Sequence, residues 1–146
     1  MRARMEANQG IQLLGAVIKQ GVAPMAQILI VDDSPTEAHV LKGLLKKNGF
    51  EVETAENGTE GIERAREMKP DLILMDVVMP GLNGFQATRQ LTKDPETKDI
   101  PVIIVTTKDQ ETDRVWGLRQ GARDFLTKPV SEKTLMQKIN TVLELV

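Results

Sequence analysis

The chain contains no cysteine and only one histidine, His39. Without cysteine there is no disulfide framework, no thiolate nucleophile and no thiolate metal site. Because one histidine cannot form a histidine cluster, any metal ion must be held by oxygen ligands. Aromatic residues are also few, at 3%, with no tyrosine. This composition disfavours a flavin carrier, which needs aromatic residues to sandwich the flavin ring.

Excess basic charge and long apolar runs are absent as well. The formal net charge is -2, so we expect no nucleic-acid partner and no attraction to an anionic membrane. The apolar stretch at residues 11–18 is interrupted by Gly15 and is too short to span a bilayer. No clean signal-peptide cleavage site follows it. These features predict a cytoplasmic protein whose ligands are cations or protein surfaces.

The length of 146 residues suits one domain, and 40% hydrophobic with 27% charged residues is typical of a globular protein. Met25 stands directly before the first strand-like run. We therefore predict one domain over residues 25–146. Residues 1–24 are predicted to be an N-terminal extension, disordered or non-native, without a catalytic role.

From Met25 onward, short apolar runs alternate with segments of helical period, which predicts five βα units and an α/β fold with a parallel sheet. The second run is the least apolar and should lie near a sheet edge. Ser34 to Glu37 predicts a helix start with a capping box. The predicted strands cover residues 27–31, 50–54, 71–75, 101–105 and 123–126. The predicted helices begin near residues 34, 59, 85, 110 and 131.

Polar residues suited to phosphate chemistry follow four of these runs. Asp32 and Asp33 follow the first run, Asp76 the third, Thr106 the fourth and Lys128 the fifth. If the runs are parallel strands of one sheet, all five residues gather at its carboxyl edge, where open α/β sheets place their sites.

This constellation suggests metal-assisted phosphoryl chemistry. Three neighbouring carboxylates resist simultaneous ionisation unless a cation binds, and Mg²⁺ prefers such oxygen ligands. Lys128 and Thr106 would hold phosphoryl oxygens. Asp76, alone at the end of the most buried run, is the predicted nucleophile, and Asp32 and Asp33 are better placed to hold the metal. Each residue alone also has an ordinary structural explanation, as a cap, a strand residue or a surface lysine, so only their joint placement is informative.

The ordered set resembles the receiver domain of two-component response regulators, the CheY-like family. It consists of Val31-Asp32-Asp33-Ser34, Asp76 with Met79-Pro80-Gly81 and Gly84, Thr106-Thr107, and Lys128-Pro129. The resemblance covers residues 26–146. It implies a flavodoxin-like (βα)5 doubly wound sandwich whose five parallel strands have the order 2-1-3-4-5. It also implies a stand-alone phosphoacceptor signalling protein rather than an enzyme.

The resemblance assigns roles to individual residues. Asp76 would accept a phosphoryl group from a histidine kinase in a self-catalysed, Mg²⁺-dependent transfer, and Mn²⁺ could substitute. Asp33 would bind the metal directly and Asp32 mainly through water, and Asp76 and the backbone carbonyl of Val78 would complete the ligand set. Lys128 would be aimed into the site by a cis peptide bond to Pro129.

The resemblance also implies a conformational switch. Thr106 and Phe125 would be the switch pair: on phosphorylation the Thr106 hydroxyl would move to the phosphoryl group, and the Phe125 ring would turn inward to fill the vacated space. An effector protein would bind the face of helix four, strand five and helix five, which includes Trp116, unless Trp116 is packed in the core. Val78 cannot orient an attacking water and Lys108 is long enough to cover the phosphoryl group, so we predict slow self-dephosphorylation.

Residues 76–89 and 105–111 further resemble regulators of a chemotaxis-like system that controls twitching motility by type IV pili. A phosphate sink that drains a shared kinase is the alternative within the family. An aspartate-nucleophile phosphatase of the haloacid dehalogenase type is the alternative of another class. That type has a second aspartate two residues after the first, whereas Asp32 is followed by Asp33 and Ser34. No P-loop or dinucleotide-binding glycine motif follows any strand.

Overall fold

The apolar runs form one parallel sheet of five strands in the computed structural model, which describes residues 26–144. The predicted N-terminal extension, residues 1–24, lies outside the described residues. The sheet order is β2-β1-β3-β4-β5, which confirms the predicted order. The strands are β1 (Gln27–Val31), β2 (Glu51–Ala55), β3 (Leu72–Met75), β4 (Val102–Thr106) and β5 (Asp124–Thr127).

In the part of the chain that the structure describes, five helices cover the two faces of this sheet and give the doubly wound sandwich predicted from the sequence. They are α1 (Pro35–Lys47), α2 (Gly58–Met68), α3 (Gly84–Lys93), α4 (Glu111–Arg119) and α5 (Glu132–Glu144). Because each crossover returns the chain to the amino edge, every strand points the same way and its carboxyl end reaches one common edge.

Alternating side chains of the strands supply two separate cores. In β1, Ile28 and Ile30 pack with the apolar residues of α1 and α5, and Leu29 and Val31 face the other core. That second core contains apolar residues of α2 and α3. The alternation follows from the two-residue period of a strand. All four side chains of β3 are buried, which is typical of a central parallel strand with both faces covered.

Most element boundaries agree with the sequence-based prediction to within one residue. β4 extends to Thr106 and β5 to Thr127, one residue beyond the predicted ends, because these two residues pair in the ladder. α3 begins at Gly84, where Asn83 and Gln86 form a capping box. Hydropathy identifies residues whose side chains are buried. A strand is defined by main-chain hydrogen bonds, and these also include the polar residues that follow an apolar run.

Within residues 26–144, none of the helices combines the length and apolar character needed to cross a membrane.

Candidate functional site

The two central strands bring the predicted carboxylates together. Val31 of β1 is in register with Met75 of β3, so the residues that follow, Asp32 and Asp76, lie side by side. Both side chains are buried, with Asp32 at 3% and Asp76 at 9% exposure, whereas Asp33 is exposed. Carboxylate oxygens of the three aspartates lie within 4.8 Å of one another.

Main-chain hydrogen bonds fix the position of both buried aspartates. The N–H of Asp32 donates to the carbonyl of Ala55 at 3.0 Å, and the N–H of Asp76 donates to the carbonyl of Val31 at 2.9 Å. Sheet pairing therefore continues one residue beyond each strand. This continued pairing restricts the backbone of Asp32 and Asp76 and so holds their side chains at the edge of the sheet.

Gly84 allows α3 to begin directly against Asp76. A Cβ atom at this position would lie 2.0 Å from the carbonyl oxygen of Asp76 and 2.7 Å from the Cα of Val77. The N–H of Gly84 also donates to the carbonyl of Val77 at 3.0 Å. Only a residue without a side chain fits here. Gly84 belongs to one of the sequence motifs, but nothing in that motif predicts this close contact.

Lys128 reaches the carboxylates from the end of β5. Its N–H donates to the carbonyl of Thr106 at 2.7 Å, and its peptide bond to Pro129 is cis, as expected. The ammonium lies 2.9 Å from Oδ2 of Asp32 and 3.8 Å from Oδ2 of Asp76. It thus forms a hydrogen bond with Asp32 and a longer ion pair with Asp76.

Glu37 is a further member of the site, although its local sequence predicts a role in a helix cap. The predicted capping box forms only in part, because the hydroxyl of Ser34 accepts from the N–H of Glu37 at 3.2 Å, while the Glu37 carboxylate pairs with the ammonium of Lys128. One sequence feature could have predicted this role: Glu37 lies in the first turn of a helix that starts beside Asp32 and Asp33. Every such turn lies at the carboxyl edge of the sheet.

The electrostatic environment changes the proton affinity of two groups in the site. Burial raises the pKa of Asp76 above its ordinary value; the charge of Lys128 opposes this effect and the charge of Asp32 adds to it. Burial alone would lower the pKa of Lys128, but its hydrogen bonds with Glu37 and Asp32 outweigh burial and raise it. Lys128 is therefore a fixed positive charge at neutral pH.

The aspartate cluster fits a hard divalent cation. Oδ1 of Asp32 accepts the N–H of Ser34 at 2.9 Å, and Oδ1 of Asp76 accepts the N–H of Val77 at 2.8 Å, so the orientation of both carboxylates is fixed. A cation would offset the repulsion between these charges and the cost of burying them. Carboxylate oxygens are the ligands that Mg²⁺ and related ions prefer.

Both predicted switch residues lie inside the domain. Thr106 is fully buried and Phe125 is 7% exposed. The ring of Phe125 packs below α4, where a Cβ atom on Gly117 would lie 3.0 Å from its Cδ2. In this structure the ring already occupies the inward position. The exchange between two positions stays a prediction.

The two residues predicted to set phosphate lifetime lie at the rim of the site. The Val78 side chain is 59% exposed and offers no hydrogen-bonding group. Lys108 pairs with Asp113 of α4 at 3.5 Å, so its ammonium is directed to the start of α4 in this structure.

The apolar residues Trp116 and Val115 of α4 are 50% and 40% exposed, so Trp116 is not a core residue.

Comparisons with known proteins agree with this geometry. Residues 28–140 match the family model for the response regulator receiver domain. The chain is 71% identical to protein PilH of Pseudomonas aeruginosa over 119 residues, which cover 82% of this chain and 98% of that protein. It is 38% identical to the phosphate regulon transcriptional regulatory protein PhoB of Escherichia coli, over 80% of this chain but only 51% of PhoB.

Solved structures of CheY-like proteins are also similar to this chain. The chemotaxis protein CheY4 of Vibrio cholerae superposes with a TM-score of 0.76 at 32% identity and covers 81% of this chain and 98% of that one. A CheY-like response regulator receiver domain protein from Methanospirillum hungatei gives 0.77 at 29% identity, with 82% and 94% covered.

Proposed function

Because the chain belongs to the response regulator receiver domain family, we propose that it is a two-component response regulator whose Asp76 accepts a phosphoryl group from a histidine kinase. The observation that carries the proposal is the juxtaposition of Asp76 with Lys128 and with the carboxylates of Asp32 and Asp33. This arrangement joins a buried nucleophile, a fixed positive charge and a cation site at one sheet edge.

In the proposed reaction, a carboxylate oxygen of Asp76 attacks the phosphorus atom of a phosphohistidine. The new bond joins the Asp76 oxygen to phosphorus, the phosphorus–nitrogen bond breaks, and the imidazole leaves with the electron pair. Lys128 stabilises the negative charge on the transferred group, and the hydroxyl of Thr106 donates a hydrogen bond to it. The fixed orientation of Asp76 places its second oxygen toward the site, since Oδ1 is bonded to Val77.

Mg²⁺, for which Mn²⁺ can substitute, is the proposed metal. Asp33 and Asp76 would bind it directly, Asp32 mainly through water and Val78 through its backbone carbonyl. Bound there, the cation supplies positive charge that neutralises phosphoryl oxygens. Asp32 is suited to an indirect role, because both of its oxygens already accept hydrogen bonds, from Ser34 and Lys128.

The proposed output is a change at the face of α4, β5 and α5. Phosphorylation would draw the Thr106 hydroxyl toward the phosphoryl group and stabilise the inward position of Phe125, which contacts α4. The exposed Trp116 and Val115 on α4 favour binding of an effector protein over a pure phosphate sink. We place this regulator in the cytoplasm, in a chemotaxis-like system that controls type IV pili; the similarity to PilH supports that placement.

The decisive experiment is intact-mass measurement after incubation with acetyl phosphate, for the wild type and Asp76→Asn. We expect the wild type to gain one phosphoryl group only when Mg²⁺ is present, and the variant to gain none. No gain in a wild-type protein with an intact circular dichroism spectrum would refute the proposal. A gain that persists in Asp76→Asn would refute Asp76 as the acceptor.

A further inference from the structure

The ammonium of Lys128 lies near three carboxylates, at unequal distances. Asp32 lies at 2.9 Å and Glu37 in direct contact, whereas Asp76 lies at 3.8 Å, beyond hydrogen-bonding distance. The residue that would receive the phosphoryl group is therefore the weakest partner of the ammonium that would stabilise it.

Glu37 differs from the other two carboxylates in its position. Asp32 and Asp76 belong to the cluster that could hold a cation, and Glu37 does not. Its charge therefore stays available to Lys128 whatever occupies that cluster. The Glu37 side chain is half exposed, at 48%, whereas the Lys128 side chain is 13% exposed, so Glu37 approaches the ammonium from the solvent side.

The backbone of Glu37 is fixed although its side chain can move. Ser34 caps the helix by accepting the Glu37 N–H, and Pro35 rigidifies the first turn. The carboxylate can therefore leave Lys128 by rotating into water, with no change in the helix. Its release requires the loss of one partly exposed ion pair.

We infer that Glu37 is a positioning residue that competes with the phosphoryl group for Lys128 and so slows phosphorylation of Asp76. The inference rests on the proposed function. A phosphoryl oxygen at Asp76 and the Glu37 carboxylate are both anionic acceptors for the same ammonium. Neutralising Glu37 leaves Lys128 to Asp32 and to the incoming phosphoryl group, and also removes a negative charge that repels an anionic phosphodonor.

The test is the rate of phosphorylation of the full chain by acetyl phosphate at saturating Mg²⁺, followed by intact mass over a range of donor concentrations. A partly exposed ion pair contributes about 0.2 to 1 kcal/mol, so Glu37→Gln should raise the limiting rate up to about fivefold. Glu37→Asp keeps the charge but is one methylene shorter, and it should also raise the limiting rate if the contact is what matters.

Glu60→Gln is the matched control. Glu60 also lies in the first turn of a helix, but its partners are Arg64 and the N–H of Glu56, so we expect no change in rate. An unchanged or slower rate in Glu37→Gln would overturn the inference, as would a faster Glu37→Gln combined with a Glu37→Asp variant that behaves as wild type. If the wild type takes up no phosphoryl group, the proposed function itself fails, which is a distinct result.

Discussion

Replacing Gly84 by alanine tests whether the start of α3 positions Asp76. The added Cβ would lie 2.0 Å from the carbonyl oxygen of Asp76, 2.8 Å from its carbonyl carbon and 2.7 Å from the Cα of Val77. All three are backbone atoms, so no side-chain rotation can relieve the overlap. Either the first turn of α3 or the end of β3 must move.

The size of the effect follows from three contributions. Overpacking costs about 1 to 3 kcal/mol, or more against a rigid backbone. Weakening the hydrogen bond from Gly84 to Val77 costs about 1 kcal/mol, and the better helix propensity of alanine returns at most about 1 kcal/mol. We therefore expect Gly84→Ala to lower the free energy of unfolding by about 1 to 4 kcal/mol. Phosphorylation of the folded fraction should also slow, because Asp76 moves.

Urea denaturation followed by circular dichroism measures this change, and Gly43→Ala is the matched control. Gly43 lies on the exposed face of α1, where an added Cβ would meet nothing within 4 Å beyond its chain neighbours and the backbone of its own helix, so alanine should stabilise the protein by about 0.5 to 1 kcal/mol. If Gly84→Ala were as stable as the wild type, or stabilising like Gly43→Ala, the close packing of α3 on Asp76 would be refuted.

Two further predictions concern the acceptor and its neighbour. Burial raises the pKa of Asp76. The favourable contribution of Asp76 to the free energy of unfolding is therefore fully present below the ordinary carboxyl pKa and is lost as pH rises through the raised pKa. In metal-free buffer, Asp76→Asn should therefore gain thermal stability relative to the wild type as pH rises through that window; a difference independent of pH would contradict this. Val78→Asn should shorten the lifetime of the acyl phosphate, since asparagine can orient an attacking water, and equal decay rates after donor removal would disprove it.

Much of the fold and most of the proposed site could be predicted from the sequence because both depend on position along strands. Apolar runs mark buried strands, and the residue after each run must lie at the carboxyl edge. Asp32, Asp76 and Lys128 meet in the structure because each follows a strand of this sheet and the long Lys128 side chain reaches the other two. The order of the strands came from the family resemblance, since hydrophobic periodicity does not specify which strands are neighbours.

The features that escaped prediction depend on contacts between elements. Glu37 and Lys128 are 91 residues apart in the chain, and their side chains meet only because the start of α1 and the end of β5 lie at the same carboxyl edge of the sheet. A local motif assigned Glu37 to its own helix cap, but the stronger interaction with a buried ammonium prevailed. The exposure of Trp116 also depends on packing, because α4 buries little besides Gly117 and its sequence has no clear apolar face.

The charges at the carboxyl edge explain why a metal ion and a phosphoryl group should bind there together. Three carboxylates, those of Asp32, Glu37 and Asp76, lie around the ammonium of Lys128, and the Asp33 carboxylate lies beside those of Asp32 and Asp76. A phosphoryl anion that approached this site without a cation would meet an excess of negative charge. The raised pKa of Asp76 would also make its carboxyl group, the nucleophile, harder to ionise. A divalent cation in the aspartate cluster counters both effects, since it favours ionised Asp76 and attracts phosphoryl oxygens. Glu37 stands outside that cluster, so its charge is not offset by the metal and its influence on Lys128 remains when the cation is bound.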